Sequence, residues 1–201
     1  MSEKTPWLVV GLGNPGPRYA KNRHNVGHMV VQSLAHTNNA SFTRHRAGAQ
    51  VASTRLGVLP GGRPGPLVHL AWLECYMNVS GGPTANLMKF FNLTPDRLLV
   101  VHDELDLPTH QLRLKFGGGE GGHNGLRSIS QSLGTKNYAR LRVGIGRPPG
   151  RMDTADFVLS DFPRAQATDW QITVGTAADV VEDIVTTDFA SAQQRLHTEH
   201  H

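Results

Sequence analysis

Two short runs, Trp7–Val10 and Leu98–Val101, are apolar at every position. A strand reads that way when helices cover both of its faces, so both runs are predicted to be central strands. Gly11 closes the first, and His102-Asp103-Glu104 ends the second abruptly. Val26, Met29, Val30 and Leu34 recur at helical spacing and predict a helix over 25–35. Gln50–Leu56 and Pro66–Trp72 read as strands around a Gly/Pro turn at 60–65. Ser80 is placed as the N-cap of a helix with Leu87, Met88 and Phe91 on one face. A strand at Leu112–Phe116 leads into a glycine loop, 117–122, and Leu126, Ile129 and Leu133 mark a helix stopped by Gly134. Arg140–Ile145 alternates as a further strand. Trp170, Val174, Ala177, Val181 and Ile184 form a helical stripe read as core packing.

Strands and helices interleave without a repeat, a low-complexity tract or a shift in composition. This predicts an α/β fold: one domain over residues 1–201, a twisted mixed sheet with helices packed on both faces. The core is expected over about 7–189, with 195–201 a tail outside it. A length of 201 residues with 38% apolar positions suits one core. The net charge of +4 is compatible with a polyanionic partner, but a solvated basic face explains it equally well. Aromatic residues, at 6%, are too sparse for a broad base-stacking platform. The single cysteine, Cys75, excludes an internal disulfide and a multi-cysteine metal cage. No apolar signal segment or run of about 18 apolar residues occurs, so a cytoplasmic protein without a membrane partner is expected.

The first candidate for chemistry is Gly11-Leu12-Gly13-Asn14-Pro15-Gly16, which matches a dinucleotide fingerprint after a strand. Pro15 removes a turn N–H, and Val30–Thr37 supplies no acidic residue for a ribose. A tight turn presenting Asn14 at the sheet's carboxyl edge fits better than an NAD site. Further polar clusters follow: Arg23-His24-Asn25, Met77-Asn78, His102-Asp103 and His123-Asn124. Asn14 and His102-Asp103 are expected to meet at one rim. These residue types suit hydrolysis of a carbonyl compound. A histidine takes the proton from water, a carboxylate orients it, and asparagine amides support the oxyanion or grip the substrate. Residue types alone leave His24, His102 and His123 open as the base. The glycine loop, running into a helix start, is expected to favour an anion, with Arg113, Lys115, Arg140 and Arg142 as candidate phosphate contacts. No metal-ligand pattern accompanies His24 and His28, and nothing near Cys75 activates it as a nucleophile.

Taken together, GLGNPG at 11–16, Tyr19, RHNVG at 23–27, YMNVSG at 76–81, HDELDL at 102–107, GGGEGGHNGL at 117–126 and RLRVGIG at 140–146 resemble the bacterial peptidyl-tRNA hydrolases. The resemblance runs from Trp7 to about Phe189. It departs at Leu73-Glu74-Cys75, at Glu120 and in a longer turn at 60–66. It implies a cofactor-free, metal-free, monomeric esterase that cuts the ester between the peptide and the 3′ end of tRNA. By the resemblance His24 is the general base and Asp103 orients it. Asn14, Tyr19, Met77, Asn78, His123 and Asn124 line the substrate site. Lys115 and Arg142 would clamp a tRNA phosphate, with the acceptor stem and CCA end as the bound part. A catalytically silent RNA-binding module on this scaffold is the second reading, disfavoured by the intact His24, Asp103, Asn14 and Asn78 set.

Overall fold

A computed structural model describes residues 5–199. The seven-stranded sheet has the order β2-β3-β6-β1-β7-β9-β8, comprising β1 (Trp7–Gly11), β2 (Thr43–His45), β3 (Ala49–Arg55), β6 (Leu67–Leu73), β7 (Leu98–Glu104), β8 (Leu112–Phe116) and β9 (Ala139–Gly144). The hairpin of β4 (Val58–Leu59) and β5 (Arg63–Pro64) lies apart from it. Strands β6, β1, β7 and β9 are parallel, and the flanking pairs are antiparallel. The two apolar runs are therefore adjacent central strands, β1 and β7, with Leu8–Val10 and Leu98–Val101 fully buried.

Helices cover both faces. On one side α1 (Val26–Thr37), α5 (Ala167–Thr186) and α6 (Phe189–Glu199) pack against Val9, Leu99 and Leu141. On the other, Leu87 and Met88 of α2 (Gly81–Phe90) and Leu126 and Ile129 of α3 (Asn124–Leu133) pack against Leu8, Val10 and Val100. The stripe on α5 faces the first of these cores, as expected. Contact between α1 and β1 is made through glycine. A Cβ on Gly27 would lie 2.3 Å from the Val101 carbonyl oxygen and 2.5 Å from the Leu12 nitrogen. Backbone thus touches backbone, and the start of α1 is held against the sheet.

Several local details differ from the sequence pattern or were not visible in it. Strand β7 does not stop at Val101 but continues through Glu104, because His102, Asp103 and Glu104 stay paired with Arg142, Val143 and Gly144 of β9. Ser80 stands at the N-cap position of α2, as expected, but its side chain makes no capping bond. Its hydroxyl donates to the Met77 carbonyl at 2.7 Å, and the Gly81 amide instead donates to Ser128 Oγ of α3 at 2.8 Å. The chain beyond Phe189 forms α6, which runs to Glu199 with Ala192 and Leu196 buried. Its Gln193 Nε2 donates to the Leu114 carbonyl, and the Leu114 amide donates to His197 Nε2, so polar side chains cover the open edge of β8. Residues 200 and 201 of that expected tail lie outside the described residues. Finally, the short elements β2 and α4 (Thr154–Val158) lack a periodic pattern long enough to predict them. No described helix is long and apolar enough to cross a membrane.

Candidate active site

The catalytic candidates converge at the carboxyl edge of β1 and β7, where open α/β sheets place their sites. His24 sits in a 3-10 turn, Arg23–Asn25, leading into α1. Asp103 projects from β7 and is 3% exposed. Its Oδ2 lies 2.8 Å from His24 Nδ1, and its Oδ1 lies 2.9 Å from His123 Nε2. His123 is the N-cap of α3, and its Nδ1 accepts the amides of Gly125 at 3.1 Å and Leu126 at 3.4 Å.

That cap fixes the protons. Because His123 Nδ1 accepts, its hydrogen sits on Nε2 and is donated to Asp103. The other carboxylate oxygen takes Nδ1–H of His24, which leaves His24 Nε2 unprotonated. Asp103 thereby has both oxygens filled by histidine donors. Burial works to raise its pKa, but the electrostatic attraction and hydrogen bonds of His24 and His123 outweigh burial and hold the carboxyl well below the usual range. Burial likewise works to lower His24, but the Asp103 charge and hydrogen bond prevail and its pKa is raised. His102 has a different role. Its Nδ1 donates to the Asp103 carbonyl at 2.7 Å, and burial pushes its pKa down to about 3. His24 lines the cleft beside the carboxylate with its Nε2 unprotonated, whereas the unpartnered Nε2 of His102 is buried away from it.

A cleft of about 160 Å³ opens over this cluster, lined by His24, Asp103, Glu104, Gly121, Gly122, His123 and Asn124, with Thr154, Ala155 and Val158 of α4 opposite. The second group is built around Asn14, which is 7% exposed. Asn25 holds its backbone twice: Asn14 N donates to Asn25 Oδ1 at 2.9 Å, and Asn25 Nδ2 donates to the Asn14 carbonyl at 2.8 Å. Asn14 Oδ1 accepts the Met77 amide at 2.8 Å, so its NH₂ is the remaining polar end. Met77 is buried, and its sulfur packs at Gly125, one residue past Asn124, joining the two groups. Asn78 and Asn124 are exposed. Tyr19 meets Tyr76 edge to face, with ring centres 6.3 Å apart.

The family model for peptidyl-tRNA hydrolase matches residues 8–201, nearly the whole chain. The chain belongs to the peptidyl-tRNA hydrolase family. A relative from Kineococcus radiotolerans named peptidyl-tRNA hydrolase is 61% identical over 191 residues, covering 95% of this chain and 96% of the relative. A crystal structure of a peptidyl-tRNA hydrolase in complex with N-propanol has a TM-score of 0.85 at 32% identity, covering 98% of this chain and 96% of that one. The peptidyl-tRNA hydrolase of Acinetobacter baumannii has a TM-score of 0.80, also at 32% identity, with the same coverage.

Several features that set this member of the family apart from a nucleotide-binding fold are now physical. The fingerprint glycines serve packing: a Cβ on Gly13 would lie 2.7 Å from the His28 ring, and one on Gly11 would lie 2.1 Å from the Gly27 carbonyl oxygen. Residues 17–25 separate Gly16 from α1.

The start of α3 is not an open anion site, since His123 occupies two of its amides. Nor is Arg140 a phosphate contact. It is 1% exposed, and its guanidinium donates to the carbonyls of Gly119 at 2.6 Å, Gly118 at 3.0 Å and Lys136 at 3.0 Å, tying down the glycine loop. Its place is explained by register. Arg113 faces Arg142 and Lys115 faces Arg140 across β8 and β9, so four cations share one face of the sheet. Like charges opposite one another are unfavourable. Arg140 is compensated by carbonyls and Arg142 by Glu104 at 3.4 Å. Lys115 reaches the glycine loop, its Nζ lying against Gly118.

Sequence reasoning placed Asn25 in a polar cluster without a role. Its signal was its position inside RHNVG, but only the paired bonds to Asn14 reveal its function.

Two buried neutral histidines give the fold a pH dependence. Burial lowers the His28 pKa to about 4 and the His102 pKa to about 3. Unfolding returns both to an ordinary value near 6.5, so the unfolded chain binds more protons and stability falls as pH drops below about 6.5. The loss is on the order of 2 kcal/mol per group by pH 5. His24, with its raised pKa, stabilises the native state below about 6.5 and offsets part of this. The thermal midpoint is expected to fall measurably between pH 7.5 and pH 5. A flat midpoint would mean that His28 and His102 are charged in the native protein.

Proposed function

We propose that His24 is the general base in hydrolysis of the ester between peptide and tRNA, with Asp103 holding it in the reactive tautomer. The family hydrolyses peptidyl-tRNA, and membership makes this chain a hydrolase of that ester. The observation that carries the assignment of roles is the doubly bonded Asp103, with His24 Nδ1 at 2.8 Å and His123 Nε2 at 2.9 Å. His24 Nε2 takes a proton from water as the water oxygen attacks the ester carbonyl. The imidazolium then returns that proton to the departing 3′ oxygen of tRNA. Asp103 stabilises the imidazolium without taking its proton. A base of this kind contributes roughly 10²–10⁴-fold.

The Asn14 amide, its oxygen committed to Met77, is a donor for the oxyanion or for a peptide carbonyl. Asn78, Asn124, Met77, Tyr19 and His123 complete the substrate site. A site that hydrogen-bonds the first peptide amide would reject free aminoacyl-tRNA, by about 10⁴ at best. Lys115 and Arg142 bind a phosphate of the acceptor stem, which extends toward the CCA end at His24. The chain acts as a monomer, and the reaction belongs to the cytoplasm, where tRNA is recycled.

The test is release of an N-blocked amino acid from its tRNA ester, beside unblocked aminoacyl-tRNA. Rapid cleavage of the blocked ester alone, lost in His24→Ala, is expected. Lys115→Ala should weaken tRNA binding in low salt while short ester mimics are still cut. Normal turnover by His24→Ala would overturn the choice of base.

A further inference from the structure

The segment 146–160 has one buried side chain, Phe157, yet α4 within it forms a whole wall of the cleft. What holds that wall in place comes from the residues just before the catalytic histidine. Arg23 Nη1 donates to Ser160 Oγ at 2.6 Å, to the Asp161 carbonyl at 3.0 Å and to the Ser160 carbonyl at 3.4 Å. Its backbone N–H donates to the Ser160 carbonyl at 3.1 Å. The guanidinium carbon lies 4.2 Å from the ring centre of Phe157 and 5.7 Å from that of Phe162. On either side of these contacts, Asn22 Nδ2 donates to Asp161 Oδ1 at 2.7 Å, and the Phe162 amide donates to the Lys21 carbonyl at 3.2 Å.

We propose that Arg23 is a positioning residue that docks the α4 wall against His24 and so sets the width of the cleft that receives the substrate. A planar guanidinium suits the task, because its face lies on Phe157 while Nη1 reaches three acceptors. Main-chain carbonyls supply two of those acceptors, so the grip fixes the backbone of 160–161. Thr154, Ala155 and Val158 line the cleft together with Gly121, Gly122 and Asn124. Substrate placed between these walls is aligned with His24 only while the α4 wall is seated, and a misplacement of about 1 Å can cost about 10²-fold. Arg23 itself touches no reacting atom. This inference rests on the cleft being the substrate site, but the docking contact can be measured without catalysis.

Arg23→Lys keeps the charge and loses the planar group that lies on Phe157. Amide hydrogen exchange across 154–162 should accelerate about tenfold or more, and KM for N-blocked aminoacyl-tRNA should rise about tenfold. The pH midpoint of kcat should stay at its wild-type value, because the His24–Asp103 pair is untouched. Ser160→Ala approaches the same contact from the other side without altering the residue next to His24. It should move exchange and KM in the same direction by less, and it serves if the Arg23 variant does not fold. Wild-type exchange across 154–162 in both variants would overturn the docking role whatever the activity. Faster exchange with unchanged KM would overturn the positioning role, and a shifted pH midpoint would place the effect on His24 itself.

Discussion

Asp103→Asn is expected to lower kcat for peptidyl-tRNA hydrolysis by about 10³–10⁴ while the protein stays folded. The native carboxylate accepts from His24 Nδ1 and from His123 Nε2. An asparagine offers one acceptor oxygen and one NH₂, so one imidazole must turn its lone pair toward the amide. If His123 yields, its Nδ1 gains a hydrogen and collides with the amides of Gly125 and Leu126, removing the cap of α3 at about 1 kcal/mol or more. If His24 yields, no other protein hydrogen bond is lost. The energetically cheaper choice therefore puts the proton on His24 Nε2, where it faces water as a donor and the base is gone. Steady-state kinetics with a thermal midpoint measured beside them decides this. Activity within threefold of wild type would show that Asp103 does not set the tautomer.

The second large effect is on stability. Gly27→Ala should cost about 3 kcal/mol, at the upper end for overpacking. The added methyl group would meet main-chain atoms of Val101 at 2.3 Å and Leu12 at 2.5 Å, and neither can rotate away as a side chain could. The same backbone carries the Leu12 N–H to Val101 carbonyl bond at 2.9 Å and the His28 N–H to Leu12 carbonyl bond at 3.3 Å. Lifting α1 by the needed distance would strain both and displace the turn holding His24. Loss of activity is thus expected along with the lower midpoint. A midpoint within about 2 °C of wild type would show that α1 yields more easily than this packing implies.

Much of the architecture was legible because burial on both faces writes a signal that needs no partner to be read. Trp7–Val10 and Leu98–Val101 are apolar throughout, and the α5 stripe is continuous, so these elements and their depth followed directly. The elements that were missed are held by specific polar contacts. Gln193 and His197 fasten α6 over the edge of β8, and Arg23 fastens α4; neither contact produces a hydrophobic period. The end of β7 was misjudged for a related reason, since its ladder to β9 runs on beneath polar side chains at His102, Asp103 and Glu104.

The chain by itself determined which groups were available for chemistry: the histidines, Asp103, the asparagine amides, the glycine loop and the cations around it. Motif order alone also pointed to the family. Only the tertiary structure decided what each group touches. Arg140 and Arg142 sit two apart on one strand and look equivalent in sequence, but the folded glycine loop presents its carbonyls to Arg140, while Glu104 is within reach of Arg142. Likewise, His24 and His123 look alike in sequence, but the Asp103 carboxylate and the first amides of α3 give their ring nitrogens different partners. Those assignments depend on hydrogen bonds of about 3 Å between residues as far apart as His24 and Asp103. Proton position is set by such distances, and spacing along the chain does not encode them.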